Sequence, residues 1–266
     1  MTHVPSGAAQ YLARFADQNV ACSQYALAKL GVNRSHCFLK IDEYQILCAP
    51  FQFGFKRSLL IASLSKEELV FFQRYINGIV GLSLEFTSPH RKEPIKLFIR
   101  CSLAAAGQMK GRDRVGLLVV DFKTTPEDYI NILGSYLEGM ERLQAQYNDY
   151  GKTEVRVNAE AAKSLGYNQF ATAADPAGAK RIQVFSLSSQ HIEHLEGGAG
   201  SERAIGTSLG YQLFFRKYRV GVAGEVETVE RLPNGLIKTR AKLAFSPELV
   251  EIMDDYWFRS RLSSRA

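Results

Sequence analysis

The chain has 266 residues, 46% hydrophobic and 23% charged, with a formal net charge of +6. That balance belongs to one large or two ordinary globular domains and excludes a disordered or low-complexity chain. The longest apolar runs, around Val115–Val120 and Ser58–Ser63, are too short to cross a bilayer, and the start Met1 to Pro5 lacks the basic and apolar regions of a secretory leader. A cytoplasmic protein without membrane insertion is expected. Cys22, Cys37, Cys48 and Cys101 form no CxxC pair and have no zinc-ligand spacing, so reduced, mostly buried thiols are expected, with no metal and no cofactor.

The first forty residues, around Tyr11–Ala16 and Ser23–Leu30, read as short helix and loop. From Cys37 onward, short β-type runs predict strands over 37–41, 44–48, 58–62, 81–86, 95–100 and 115–122. Short strands separated by turn residues are what an antiparallel barrel needs. Two helices interrupt the series. Ser65 and Glu68 have capping-box spacing ahead of Leu69, Phe72, Tyr75 and Ile76. The second helix opens on Thr125-Pro126-Glu127, a hydroxyl cap with proline at the first helical position. Its stripe of Tyr129, Ile130, Leu133, Leu137, Met140 and Leu143 is expected to pack on the first barrel. The polar stretch from Gln144 to Gly151 predicts that this helix frays, which divides the chain into domains 1–148 and 149–266.

The second half again reads as strands, over 154–157, 181–187, 208–215, 218–229 and 236–244, with Pro233-Asn234-Gly235 as a hairpin turn. Ser246-Pro247-Glu248 predicts the cap of a terminal helix carrying Leu249, Ile252, Met253 and Trp257. His191, Glu193, His194 and Glu196 read as a polar loop ending in Gly197–Gly200 rather than a metal site. The expected fold is therefore mainly β: two small antiparallel barrels with accessory and C-terminal helices.

Two segments some thirty residues apart carry the functional signal. Lys152-Thr-Glu-Val-Arg156 leads into the second half, and Ser186-Leu-Ser188-Ser-Gln-His191 follows it. Together they resemble the RxxxR and [DN]xSxxG motifs of the PilZ family, and the whole order of elements from about Cys37 to Phe258 resembles PilZ proteins in which a PilZN-type barrel precedes the PilZ barrel. Lys152 stands where the first arginine is expected, Ser186 where Asp or Asn is expected, and His191 where glycine is expected; Arg156 and Ser188 match.

That resemblance implies cyclic di-GMP as ligand. It implies that Arg156 meets phosphate or guanine, that Lys152 offers a point charge, and that Ser186 and Ser188 present hydroxyls. Paired arginines suit two phosphates and two guanines, and closure of the interdomain segment on ligand reorients the domains. The resemblance also implies a signalling effector or adaptor in bacterial motility, acting on an unidentified flagellar or signalling protein partner. Two alternatives stand beside it. One is a ligand-independent interaction scaffold, in which Lys152 and Arg156 are solvated charges around Glu154. The other is a nucleic-acid-binding barrel, resting on the positive charge and on Arg216-Lys217-Tyr218-Arg219 beside Phe214-Phe215. With no Ser/His/Asp set, no GxSxG and no distinctive carboxylate pair, a non-enzymatic protein is expected.

Overall fold

The computed structural model describes residues 7–88, 91–150, 153–197 and 203–263. The chain forms two compact units, Met1–Gly139 and Met140–Ala266. The elements of the first are α1 (Gly7–Phe15), β1 (Asn19–Ala21), α2 (Gln24–Leu30), β2 (Phe38–Ile41), β3 (Tyr44–Gly54), β4 (Arg57–Ser63), α3 (Lys66–Arg74), β5 (Ile79–Phe86), β6 (Ile95–Gln108) and β7 (Val115–Phe122), followed by α4 (Glu127–Tyr150). The strands pair antiparallel in the order β3-β2-β5-β6-β7-β4, and β4 returns to β3, closing a six-stranded barrel with β1 added on β3.

Closure forces each strand residue inward or outward. Leu39, Leu60, Leu82, Ile99, Leu118 and Val120 point inward and are essentially fully buried, joined by Tyr129, Ile130, Leu133 and Leu137 of α4. Burial raises the thiols of Cys22, Cys48 and Cys101 to about 12, and that of Cys37 further, so these four free cysteines are inert core residues. The outer face carries one apolar row: Leu47 pairs with Phe38, Phe38 with Ser83 and Ser83 with Phe98. At its two ends Leu47 is 57% and Phe98 65% exposed.

The capping box at Ser65 forms in both directions. The cap predicted at Thr125 is corrected: its hydroxyl donates instead to the Phe55 carbonyl at 2.6 Å. The predicted fraying of α4 is also corrected. The helix continues to Tyr150, because Tyr147 donates to the Leu243 carbonyl at 2.7 Å and packs on Phe245. β1 was not expected; three residues are too few to show a period.

The second unit comprises β8 (Val155–Arg156), α5 (Ala159–Leu165), β9 (Tyr167–Asp175), β10 (Gly178–Leu187), β11 (His191–Glu196), β12 (Ser208–Phe215), β13 (Arg219–Arg231), β14 (Ile237–Leu243) and α6 (Pro247–Ser263). Its strands run β11-β14-β13-β12-β9-β10, and β10 closes on β11; β8 pairs with β10. Gly235 takes φ 79° in the predicted β13–β14 turn, and Ser246 accepts from the Leu249 amide as predicted for the α6 cap. The polar loop expected at His191–Glu196 is a strand instead. Its alternation places Ile192, His194 and Glu196 inside the barrel, and pairing with β10 and β14 supplies the stability that its composition does not advertise. β9 was missed for a related reason: its inward residues Ala171 and Ala173 carry little β signal.

The interior of this barrel holds polar groups. His194 Nε2 lies 3.2 Å from the Tyr211 hydroxyl, and Arg203 bridges Glu196 and, at 3.1 Å, Asp175. Burial, followed by the nearby Arg203 charge, depresses the His194 imidazole from its ordinary 6.5 to about 4. The unfolded chain therefore takes up a proton that the folded chain refuses between those values. Stability is full above about pH 6.5 and is expected to fall by about 1.4 kcal/mol per unit towards pH 4 from this group. Urea unfolding followed by the fluorescence of Trp257, the chain's single tryptophan, is expected to show that fall, and His194→Gln to flatten it.

Candidate functional site

β8 brings the two motif segments together. Arg156 pairs with Ser186 and Val155 with Leu187, so the surviving arginine and the serine at the Asp/Asn position are cross-strand neighbours. Lys152 lies outside the described residues. A β-bulge between Val184 and Ser186 resets the strand's alternation, turning Ser186 outward opposite Glu193 while Leu187 stays inside opposite Ile192.

Ser186 is nevertheless only 6% exposed, because charged side chains cover it. Its Oγ is 3.2 Å from Glu154 Oε2 and 3.1 Å from Glu193 Oε2, so two carboxylates compete for one hydroxyl proton. Arg240 of β14 clamps both, donating to Glu154 at 2.5 Å and to Glu193 at 3.3 Å, and its Nε lies 3.5 Å from Glu227. Lys238 adds a contact to Glu193 at 3.1 Å. Burial by itself would raise the Glu193 carboxyl, but hydrogen bonds from Lys238, Ser186 and Arg240 outweigh it and hold the group below the usual carboxylate range. The hydrogen bond to Glu154 likewise raises the Arg240 guanidinium.

Arg156 is exposed, its guanidinium 5.0 Å from the centre of the Phe185 ring, with the Lys238 ammonium 4.8 Å from the same ring. Ser188 is fully buried and its hydroxyl is committed to the β10–β11 turn, accepting from the amides of Gln190 at 3.2 Å and His191 at 2.8 Å. The turn is fastened further by the Gln190 side chain, which donates to the Tyr147 carbonyl at 2.5 Å. A side chain at position 191, where the motif has glycine, meets no backbone strain: His191 is not among the described non-glycine residues with positive φ. Its half-buried ring lies 3.5 Å from Glu227, and burial and the Arg240 charge lower its pKa.

Arg156, Ser186 and Ser188 are thus gathered on one stretch of the barrel, with Arg156 stacked, Ser186 covered and Ser188 structural. Sequence reasoning missed Glu193, Glu227, Lys238 and Arg240 as members of this cluster, and only Glu154 gave a local signal. Among the described residues no group of three or more His, Cys, Asp or Glu is placed to hold a metal, and none of the described helices is long and apolar enough to cross a membrane.

The chain thus carries tandem closed six-stranded barrels, and in the second of them β8 sets Arg156 beside Ser186. The PilZN3 domain model matches residues 7–140, and the chain belongs to that family. In structure it is similar to PlzA of Borreliella burgdorferi, solved in complex with c-di-GMP, at 12% identity and a TM-score of 0.47 over 94% of this chain and 97% of that one. It is also similar to YcgR of Escherichia coli in complex with c-di-GMP, at 8% identity and a TM-score of 0.33 over 91% of this chain and 88% of that one. A third such structure is the Bacillus subtilis inhibitor of motility MotI/DgrA, at 10% identity and a TM-score of 0.33 over 88% of this chain and 99% of that one. No curated protein matches the chain at a significant level.

The ion-pair cluster sets a clear expectation for mutation. Arg240→Ala leaves Glu193 with Lys238 and the Ser186 hydroxyl, and is expected to cost about 1 kcal/mol at neutral pH. Because the Glu193 pKa is depressed on folding, the loss is present above the ordinary carboxylate pKa and shrinks as pH falls through the folded value. Chemical denaturation of wild type and variant at neutral and strongly acidic pH checks it.

Proposed function

We propose that this chain is a cytoplasmic, non-enzymatic PilZ-type adaptor in cyclic di-GMP-linked control of motility, acting through protein contacts, with domains 1–148 and 149–266. On this reading its own side chains have closed the nucleotide site. The observation that carries the reading is the position of Ser186 beneath Glu154 and Glu193, with Arg240 and Lys238 consumed in neutralising them. A dinucleotide phosphate approaching this face meets two carboxylates. To enter, it must break ion pairs that are already made. The hydroxyl of Ser188 is held by the turn, and among the described residues assigned to the ligand only the exposed Arg156 presents its donors to solvent.

The other half of the reading, action through protein contacts, is supported by the outward row of exposed Leu47, half-buried Phe38 and exposed Phe98 on the first barrel. Large outward apolar side chains aligned across neighbouring strands are the kind of surface that a partner covers.

Calorimetric titration with cyclic di-GMP tests the proposal, with GTP as control. The wild-type chain is expected to give no saturable heat at ligand concentrations up to about 100 μM, where a useful site would fill. A variant carrying Lys152→Arg, Ser186→Asp, His191→Gly, Glu154→Gln and Glu193→Gln is expected to gain binding. Saturable wild-type binding that disappears in Arg156→Ala overturns the closed-site reading and makes the chain a direct sensor.

A further inference from the structure

A different face of the second barrel carries a chemistry that the motif segments do not use. β12 lies between β9 and β13, with β10 beyond β9. Phe170 of β9 and Phe214 of β12 stand edge to face on the outer surface, ring centroids 5.2 Å apart. A guanidinium lies over each ring: Arg181 of β10 at 5.4 Å from the Phe170 centroid, and Arg219 of β13 at 5.3 Å from that of Phe214. Arg219 is held in place by Gln212, which accepts from it at 2.6 Å. Phe170 remains 39% exposed. Arg216 is exposed in the turn between β12 and β13, beside Lys217, which lies 3.6 Å from Asp255.

The rest of this face is small and uncharged. Thr172, Ala174, Gly210, Gly221 and Ala223 occupy its outward positions, and a side-chain atom placed on Gly221 would meet nothing within 4 Å. Along the β12–β13 ladder the next outward carboxylate is Glu225, opposite Ser208, at the far end from Phe214. That is about 20 Å away at the rise of a strand. An aromatic plate edged by planar cations, on a low surface where the Asp255 carboxylate near the turn is paired with Lys217, is complementary to a polyanion that also offers flat rings. A guanidinium stacked flat on a phenyl ring keeps its in-plane N–H donors for a phosphate.

We infer that this face of β9, β10, β12 and β13 binds single-stranded nucleic acid, an unpaired base stacking at Phe170 and Phe214 while flanking phosphates meet Arg181, Arg216 and Arg219. Four adjacent strands span about 14 Å, more than one nucleotide needs, which favours a polymer over a free nucleotide. The inference is independent of whether the motif face binds cyclic di-GMP.

Fluorescence anisotropy of the full chain with a short labelled oligouridylate tests it. Saturable binding at low salt that weakens steadily as salt rises is expected. The Phe170→Ala/Phe214→Ala double variant is expected to bind about tenfold more weakly or worse, and Phe170→Trp to retain binding. Arg181→Gln/Arg219→Gln is expected to lose more than Lys110→Gln/Arg112→Gln, which removes equal charge from the first barrel. Urea unfolding of each variant checks that it remains folded. Absence of binding at low salt, equal binding of a duplex, an equal loss in the Lys110/Arg112 control, or full displacement by GMP or cyclic di-GMP at matched nucleotide concentration overturns the inference.

Discussion

The single extra residue at Phe185 governs what the second barrel presents to its surroundings. In a closed sheet every side chain is committed to the core or to the outside, and a bulge is the device by which one strand changes phase midway. Before the bulge, Val184 faces in with His194; after it, Leu187 faces in with Ile192, and Ser186 is outward against Glu193 and Arg156. Without the bulge Ser186 would point at the core and Leu187 at water. The meeting of the two motif segments, the stacking of Arg156 on Phe185 and the ion-pair cluster around Glu193 all depend on that change of phase.

On the same barrel, the two sides of the wall follow opposite electrostatic rules. Inside, His194 is kept neutral by burial, and Arg203 is held between Glu196 and Asp175. Outside, Glu154, Glu193 and Glu227 share Arg240 in a half-exposed setting, where water screens the charges and the pairs are individually weak. The inner set contributes to stability and its pH dependence; the outer set fixes the charges that surround the motif segments.

Strand runs with strong alternation or a clear turn were legible from the sequence. β7 and β12 fall where the pattern places them, and the capping box at Ser65 forms as its spacing implies. The misses share a cause: they are elements whose stability comes from partners distant in the chain. The His191–Glu196 strand is polar on its outward positions and carries two charged or titratable residues inward, so local composition reads as loop until β14 is known to lie beside it. The same holds for the candidate site. Arg156, Ser186 and Ser188 could be found from spacing, whereas the partnership of Glu154 with Arg240 joins residues 86 positions apart, and no local pattern announces it. Phe214 and Arg219 drew notice as a cluster; Phe170 and Arg181, which complete it, come from strands that are neighbours only in the folded sheet.

The cluster over Ser186 also links substitutions made at distant positions. Its members sit on separate elements, Glu154 before β8, Glu193 on β11 and Arg240 on β14. Removing any one of them leaves an opposite charge short of a partner, so substitutions at these three positions are expected to be coupled rather than additive. The geometry therefore ties three distant segments of the second barrel to one another, so that a change of charge in any one of them is felt by the other two.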